Sequence, residues 1–494
     1  MLLKSLEHRY RVFIVCSTGI FTTVFDTSSS IVALPTIALE FGTDLPTAQW
    51  VIIGNTLTIA ALLVPMGRLS DLIGRKRIYV VGCLLFAIGA IVAAFSSSIF
   101  MLIGARVFVG IGSAMTQGTA MAILVGNFEI RERAKMLGLQ MGGVGLGAMA
   151  GPALGGFVVG VVGWRMLFVL TALAMLVISV SAQRVLERRA HRPHVTGPPF
   201  DLAGAVLFSS MLVAGLLTLT LGPRAGWHAL ATQLGSALFV VLLTAFIVVE
   251  KRCAAPMLAF ELFRKSAFAL GALGAVVAFM GISATRFLAP FFLQGVRGFD
   301  PSHVGLLLLP AATVTAIAAP FVGRLADQFG VRLFANIGFS VALLGLVVFA
   351  RLDVTTPTWV VVVGLMVLAL GMSSFSAPNS ASILNSVDSG SHGLAAGFVN
   401  LCRNTGNVIG IAFGTAIVTL TMSRSGVPPS LAEVGAHASQ DVFSAFTHGV
   451  RISSTSLLGL ALPILGVLIL WAARAHRHDR ARKIEGIREG NDGP

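Results

Sequence analysis

Gly67-Arg68-Leu69-Ser70-Asp71-Leu72-Ile73-Gly74-Arg75 recurs 256 residues later as Gly323-Arg324-Leu325-Ala326-Asp327-Gln328-Phe329-Gly330-Val331-Arg332. Each copy joins two long apolar segments. A charged turn copied into both halves of an apolar chain indicates a duplicated helical bundle, the plan by which secondary transporters place two faces around one site. A weaker echo, Gly112-Ser113-Ala114 against Gly371-Met372-Ser373 at an offset of 259, supports the same duplication.

The surrounding composition fits only a membrane protein. Of 494 residues, 55% are hydrophobic and 11% charged, with mean hydropathy +0.88. A spanning helix needs about 20 mostly apolar residues. Fourteen segments qualify: 12–34, 49–67, 78–96, 99–120, 136–160, 164–183, 202–221, 231–249, 267–294, 303–323, 333–350, 358–380, 394–420 and 453–473. The first follows a basic start, as a signal peptide would, but its length, Asp26 and the thirteen spans behind it mark a retained helix. The expected fold is all-α and integral to the membrane, with fourteen transmembrane helices. Two pseudo-symmetric six-helix bundles occupy residues 1–190 and 263–475. Two inserted linker helices lie in 191–262, and a basic cytoplasmic tail covers 476–494.

The net charge of +14 raises nucleic acid as a partner, but the distribution of charge explains it better. With both termini in the cytoplasm, 26 of the 35 Lys and Arg residues fall on that side and 6 on the other; Arg106, Arg286 and Arg403 remain inside spans. This is the positive-inside pattern, and it argues against nucleic-acid binding by the tail. Cys16, Cys83 and Cys402 lie in spans and Cys253 in an inner loop, so no disulfide framework is implied. The histidines lack metal-ligand spacing.

Among the 21 acidic residues, the expected spans enclose Asp26 alone. A carboxylate at that depth costs about 2.5–3.5 kcal/mol on insertion scales and normally faces a bundle interior or a cavity. Thr22, Thr23, Ser29 and Ser30 lie one turn away on the same helical face. Asp26 is the candidate proton carrier, against the plainer reading of a structural polar contact. Arg106 is its candidate partner, because a lone guanidinium at that depth needs a counter-charge. In span five, Gly147, Gly151 and Gly155 form a small-residue groove for a neighbouring helix, and Pro152 permits a bend. Span thirteen places Asn400, Arg403, Asn404 and Asn407 on one face. Those four, with Thr22, Ser30, Asn55, Gln117, Gln140, Arg286 and Asn379, are the candidate substrate-cavity residues. In the repeated turns Gly67, Asp71, Arg75, Gly323 and Asp327 are candidate gating residues; the alternative is a topology anchor alone.

Together these residues resemble the major facilitator superfamily and, within it, the fourteen-span drug–proton antiporters. Gly67 to Arg77 looks like the loop signature of that superfamily. Leu102 to Ala114 looks like its span-four motif, Gly147 to Gly156 its antiporter motif, and Asp26 with Ala33-Leu34-Pro35 its span-one motif. Trp50, Trp164-Arg165, the run from Gln294 through Pro310, and Arg403 with Gly406 and Gly410 also fit. The resemblance covers about residues 10–473. It implies proton-coupled export by alternating access, with Asp26 and Arg106 in the coupling role. Val109 and Asn55 depart from the family pattern. The second bundle carries no carboxylate within its expected spans, which suits neutral, anionic or lipid-like amphiphiles better than divalent cations.

The function expected is export of hydrophobic or amphipathic small molecules; a lipid-like amphiphile transporter of the same superfamily is the alternative, and a non-transporting receptor a more distant one. No Ser/His/Asp set points to an enzyme. A small substrate and membrane lipid are the partners expected, with a periplasmic adaptor protein as a further one and a monomer as the assembly. No cofactor or metal is expected, and the proton gradient is the energy source. The location expected is a bacterial inner membrane, since Arg outnumbers Lys 29 to 6 in a chain rich in Ala and Gly.

Overall fold

The computed structural model describes residues 7–128, 130–186, 202–226, 228–252, 264–387, 392–427 and 440–491. The joint at 187–201, Cys253 and the outer loop at 428–439 lie outside them. Among the described residues the regular elements are helices: α1 (His8–Glu40), α2 (Leu45–Ala48), α3 (Trp50–Ile73), α4 (Arg75–Ala94), α5 (Ile99–Asn127), α6 (Ile130–Val162) and α7 (Arg165–Val185). Then follow α8 (Leu202–Ala225), α9 (Leu230–Arg252), α10 (Ser266–Phe291) with a π-helical turn at Phe292–Val296, α11 (Pro301–Phe329), α12 (Val331–Ala350), α13 (Thr358–Leu384), α14 (His392–Arg424) and α15 (Gln440–Asn491). Fourteen helical stretches are long and apolar enough to cross a membrane, α2 and α3 making one. The helices overrun the expected spans because hydropathy marks only the hydrocarbon, whereas a helix continues until its backbone is turned. α9 runs on to Arg252 and so takes in Glu250, a second buried carboxyl in a membrane helix that the span boundary at 249 had excluded.

The duplication extends to backbone geometry. Gly74 and Gly330, 256 residues apart, end α3 and α11 with φ of 110° and 107°. Each amide donates to the carbonyl four residues back, of Ser70 and Ala326. Only glycine adopts that φ without strain. The helices that follow pack by the same device. A Cβ on Gly112 of α5 would lie 2.5 Å from the Phe86 amide of α4, and one on Gly371 of α13 would lie 2.1 Å from the Ala342 amide of α12. Phe86 and Ala342 are again 256 apart.

The face bearing Arg75–Arg77 is called the basic face here, and the opposite one the far face. At the far face the two bundles share one apolar core, in which Val32, Ile37, Trp164, Phe287, Val304 and Phe446 belong to a single cluster. Toward the basic face each bundle also has a core of its own. One, around Tyr79, Phe86 and Met175, belongs to the first bundle alone; another, around Phe339, Leu346 and Phe375, belongs to the second. A further cluster beside α8 joins Ala60 of α3 to Phe268 of α10 and Phe398 of α14. Between the bundles on one side stands α8, which packs on both α3 and α14. Ser209 of α8 donates to the Ala61 carbonyl at 2.8 Å, and Phe208 meets Phe246 of α9.

Placing a leucine at either duplicated contact forces backbones apart, at about 1–3 kcal/mol by the usual cost of overpacking. Gly112→Leu and Gly371→Leu are each expected to lower the melting temperature in detergent by several degrees, as read by fluorescence-detected size exclusion, whereas Gly143→Leu, which faces open space, leaves it unchanged.

Candidate functional site: a buried ion pair beside an interbundle seam

Helices α1, α3, α5 and α7 of the first bundle converge on one buried locus. Asp26 is 1% exposed and Arg106 0%. Arg106 Nη1 donates to Asp26 Oδ2 at 2.7 Å. Thr171 Oγ1 donates to the other carboxylate oxygen at 3.4 Å. Arg106 Nε donates to the Val51 carbonyl at 3.2 Å, and its guanidinium stands 5.3 Å from the Phe168 ring centroid. Arg106 Nη2 and Ser113 Oγ are buried with no acceptor or donor among the described residues. The pairing expected between Asp26 and Arg106 is therefore present as geometry. Thr171, Phe168 and the Val51 carbonyl were not foreseen: Thr171 had only the signal of a hydroxyl in an apolar span, and a backbone carbonyl has none.

The hydroxyl stripe on α1 serves its own helix. Thr22 donates to the Thr18 carbonyl, and Ser29 and Ser30 both donate to that of Asp26. These bonds satisfy the hydroxyls locally, so the carboxylate depends on other helices. Gly147, Gly151 and Gly155 hold α6 against this part of α1: a Cβ on Gly147 would lie 2.9 Å from the Phe21 carbonyl, and one on Gly151 or Gly155 2.5 Å from the Cβ of Ser28 or Ser29.

A second face of α6 meets the other bundle. A Cβ on Gly156 would lie 2.5 Å from the Pro301 carbonyl, and one on Gly305 of α11 2.6 Å from the Pro152 carbonyl. Pro152, expected to permit a bend, thus also offers its carbonyl to the seam. Lower on the same two helices, a Cβ on Gly145 or Gly323 meets nothing within 4 Å. A polar latch accompanies the far-face seam. Pro290 lacks an amide hydrogen, and the backbone just beyond it widens into the π-helical turn. That turn carries Gln294, whose Nε2 donates to the Val32 carbonyl at 2.9 Å and whose Oε1 accepts from Thr36. At the far end of α1, Glu40 accepts from Trp164, the residue that caps α7, and from Arg165 of α7.

The repeated turn makes its described bonds within the first bundle. Asp71 pairs with Arg75 at 2.9 Å, and Arg75 Nη1 donates to the Ala122 carbonyl of α5 at 2.7 Å. Gly67 approaches α5 at Gly118. Among the described residues these bonds stay inside the first bundle. The Asp327 side chain lies outside the described residues.

The candidate cavity residues divide. Asn55 is fully buried and donates to Thr27 at 3.3 Å, leaving its Oδ1 without a donor among the described residues. Gln140 is buried with Oε1 in the same condition, and Gln117 is half-buried. Asn379 donates to the Gly271 carbonyl at 3.0 Å, which ties α13 to α10 inside the second bundle. Asn404 is 8% exposed, with Nδ2 unmatched among the described residues. Asn400, Asn407, Arg403 and Arg286 are half-buried.

Two variants probe this geometry. Removing one partner of a buried ion pair costs about 3–5 kcal/mol, because the other charge is left uncompensated. Arg106→Ala is expected to lower the melting temperature sharply, and Asp26→Asn/Arg106→Ala to recover most of the loss; an equal loss in the double variant counts against coupling. Gly305→Leu pushes on the backbone of α6 at the seam. It is expected to fold but to hold the far face apart, seen as longer distances between spin labels at the far ends of α6 and α11.

The model of the Major Facilitator Superfamily matches residues 16–411. Multidrug resistance protein Stp of Mycobacterium tuberculosis (strain ATCC 25618 / H37Rv) is 30% identical over 415 residues, covering 83% of this chain and 76% of that protein. Riboflavin transporter RibZ of Clostridioides difficile (strain 630) is 28% identical over 414 residues, covering 83% and 88%. The fold matches a bacterial homologue of the human lysosomal transporter Spinster, solved in an inward-facing and unoccupied conformation, with a TM-score of 0.67 at 17% identity over 94% of this chain and 97% of that one.

Proposed function

The chain belongs to the Major Facilitator Superfamily, and we propose that within it the protein is a proton-coupled antiporter exporting hydrophobic or amphipathic small molecules. The observation that carries this reading is the sealed Asp26–Arg106 pair. We take the basic face as cytoplasmic and the membrane as the bacterial inner membrane, in keeping with the positive-inside distribution. The far-face closure then makes this the inward-facing state. The names of relatives such as Stp and RibZ support small-molecule transport without fixing the cargo.

The proposed cycle follows from the pair. Protonation of Asp26 removes one half of it and leaves Arg106 buried without a counter-charge, at a cost of about 3–5 kcal/mol. One proton moving down 100 mV and one pH unit releases about 3.7 kcal/mol. The two quantities match, so a single proton suffices to switch between arrangements that differ by this contact. α6 packs on α1 around Asp26 with one stripe and on α11 with the next. A shift of α1 on protonation therefore reaches the seam through one rigid helix, and a proton taken up while the far face is open returns the bundles to the state closed there. Cargo enters from the basic face when Asp26 is deprotonated and leaves at the far face when a proton has been taken up there.

The test uses proteoliposomes with an imposed pH gradient and three dyes: fluorescein (anionic), ethidium (cationic) and 7-amino-4-methylcoumarin (neutral). The wild type is expected to move at least one against its gradient. Asp26→Asn is expected to fold normally and to lose gradient-driven movement at least tenfold. Full gradient-driven movement by Asp26→Asn sinks the proposal.

A further inference from the structure

Counting charges at membrane depth separates the two bundles. In the first, Asp26 and Arg106 cancel. In the second, Arg286 and Arg403 are half-buried, and among the described residues neither has a hydrogen bond, an ion pair or a ring contact with protein. Glu250, the other buried carboxyl, lies at the basic end of α9 in the linker. The second bundle's interior therefore carries net positive charge, and a guanidinium in that setting calls for an anion.

Helix register places the two arginines. α10 and α14 run in the same direction, since Gly406 meets Val276, Gly410 meets Met280 and Gly414 meets Ala284. The constant offset puts Arg403 level with residue 273, about 20 Å nearer the basic face than Arg286 at 1.5 Å per residue. Gln294 is bonded to Val32, which fixes α10 against α1. Counting down both helices from that bond brings Arg286 to within about one turn of the depth of Asp26. Arg286 lies ten residues, about 15 Å, short of the end of its span at Val296. The planar fork of Arg suits carboxylate, sulfonate or phosphate oxygens bidentately. Asn404, on the α14 face that carries Arg403, adds an unmatched amide donor among the described residues.

We propose that the cargo is an amphipathic anion, with a carboxylate, sulfonate or phosphate on an apolar body. Arg403 is its first station inside the basic-face opening, and Arg286 its second, at the depth of the proton site. The inference rests on the reading of this protein as an exporter and names the class of its cargo. Ordering the stations along the bundle also gives the anion a path that ends beneath the far-face seam, where Gln294 and Gly305 close the exit.

The test measures equilibrium binding by fluorescence anisotropy on the purified full-length protein, so it does not depend on coupling. Fluorescein is expected to bind at least tenfold more tightly than ethidium. Arg286→Gln is expected to weaken fluorescein at least tenfold while 7-amino-4-methylcoumarin stays within twofold, and Arg286→Lys to recover part of the loss. Equal or tighter ethidium binding overturns the proposal, as does fluorescein binding indifferent to both Arg286→Gln and Arg403→Gln when movement of the anionic lipid named below is also indifferent to Arg286→Gln. If Arg286→Gln fails to fold, the ranking of the three dyes on the wild type decides. A lipid phosphate is distinguished by dithionite quenching of NBD-phosphatidylglycerol in proteoliposomes: Arg286-dependent movement of that lipid, without Arg286-dependent fluorescein binding, upholds the anion site and assigns it to lipid. Should Asp26→Asn keep full transport while the anion preference stands, coupling fails and the cargo class survives. Should transport be proton-driven and ethidium preferred, the reverse holds.

Discussion

A charge inside the hydrocarbon has to be matched from within the protein, and the first bundle is organised around one such match. Asp26 and Arg106 come from helices 80 residues apart in sequence and meet at 2.7 Å with almost no exposure. Everything nearby serves that contact. Thr171 and the Val51 carbonyl take up part of the remaining hydrogen-bonding capacity, Phe168 offers a ring face to the guanidinium, and three glycines hold α6 against the stretch of α1 that carries the carboxylate. A buried pair of this kind adds little net stability compared with an apolar replacement, but breaking it is costly. That asymmetry suits a switch better than a scaffold.

Much of this was legible in the chain. The repeated turn implied two bundles because a charged turn rarely recurs by chance between two long apolar segments, and Gly74 and Gly330 prove to carry nearly the same φ. Asp26 and Arg106 could be matched because so few charges lie in the spans. Other features left no pattern to read. The Gln294 latch depends on a π-helical turn after Pro290, which hydropathy and periodicity cannot signal. Glu250 was missed because its helix outlasts its apolar run. Asn379 was expected as a cavity residue, and its bond to the Gly271 carbonyl inside the second bundle could not be read from the sequence. A polar residue in a membrane helix announces that it needs a partner but not on which side the partner stands.

The closure of the two bundles also lies away from the motif that identifies them. Small residues make the seam at the far face, where Gly156 and Gly305 let α6 and α11 come into backbone contact. The charged turn at the basic face binds within its own bundle, through Arg75 and the Ala122 carbonyl. Sequence duplication marks what the two halves share, and a seam between them is by nature a place where they differ.

The position of α8 has a consequence for how the bilayer meets this molecule. It bridges α3 and α14, so on that flank lipid touches a third layer of helix and never the junction itself. On the opposite flank α6 and α11 meet with no such cover among the described residues. The molecule thus has a front and a back. Lipid therefore has direct access to one junction and reaches the other only past α8.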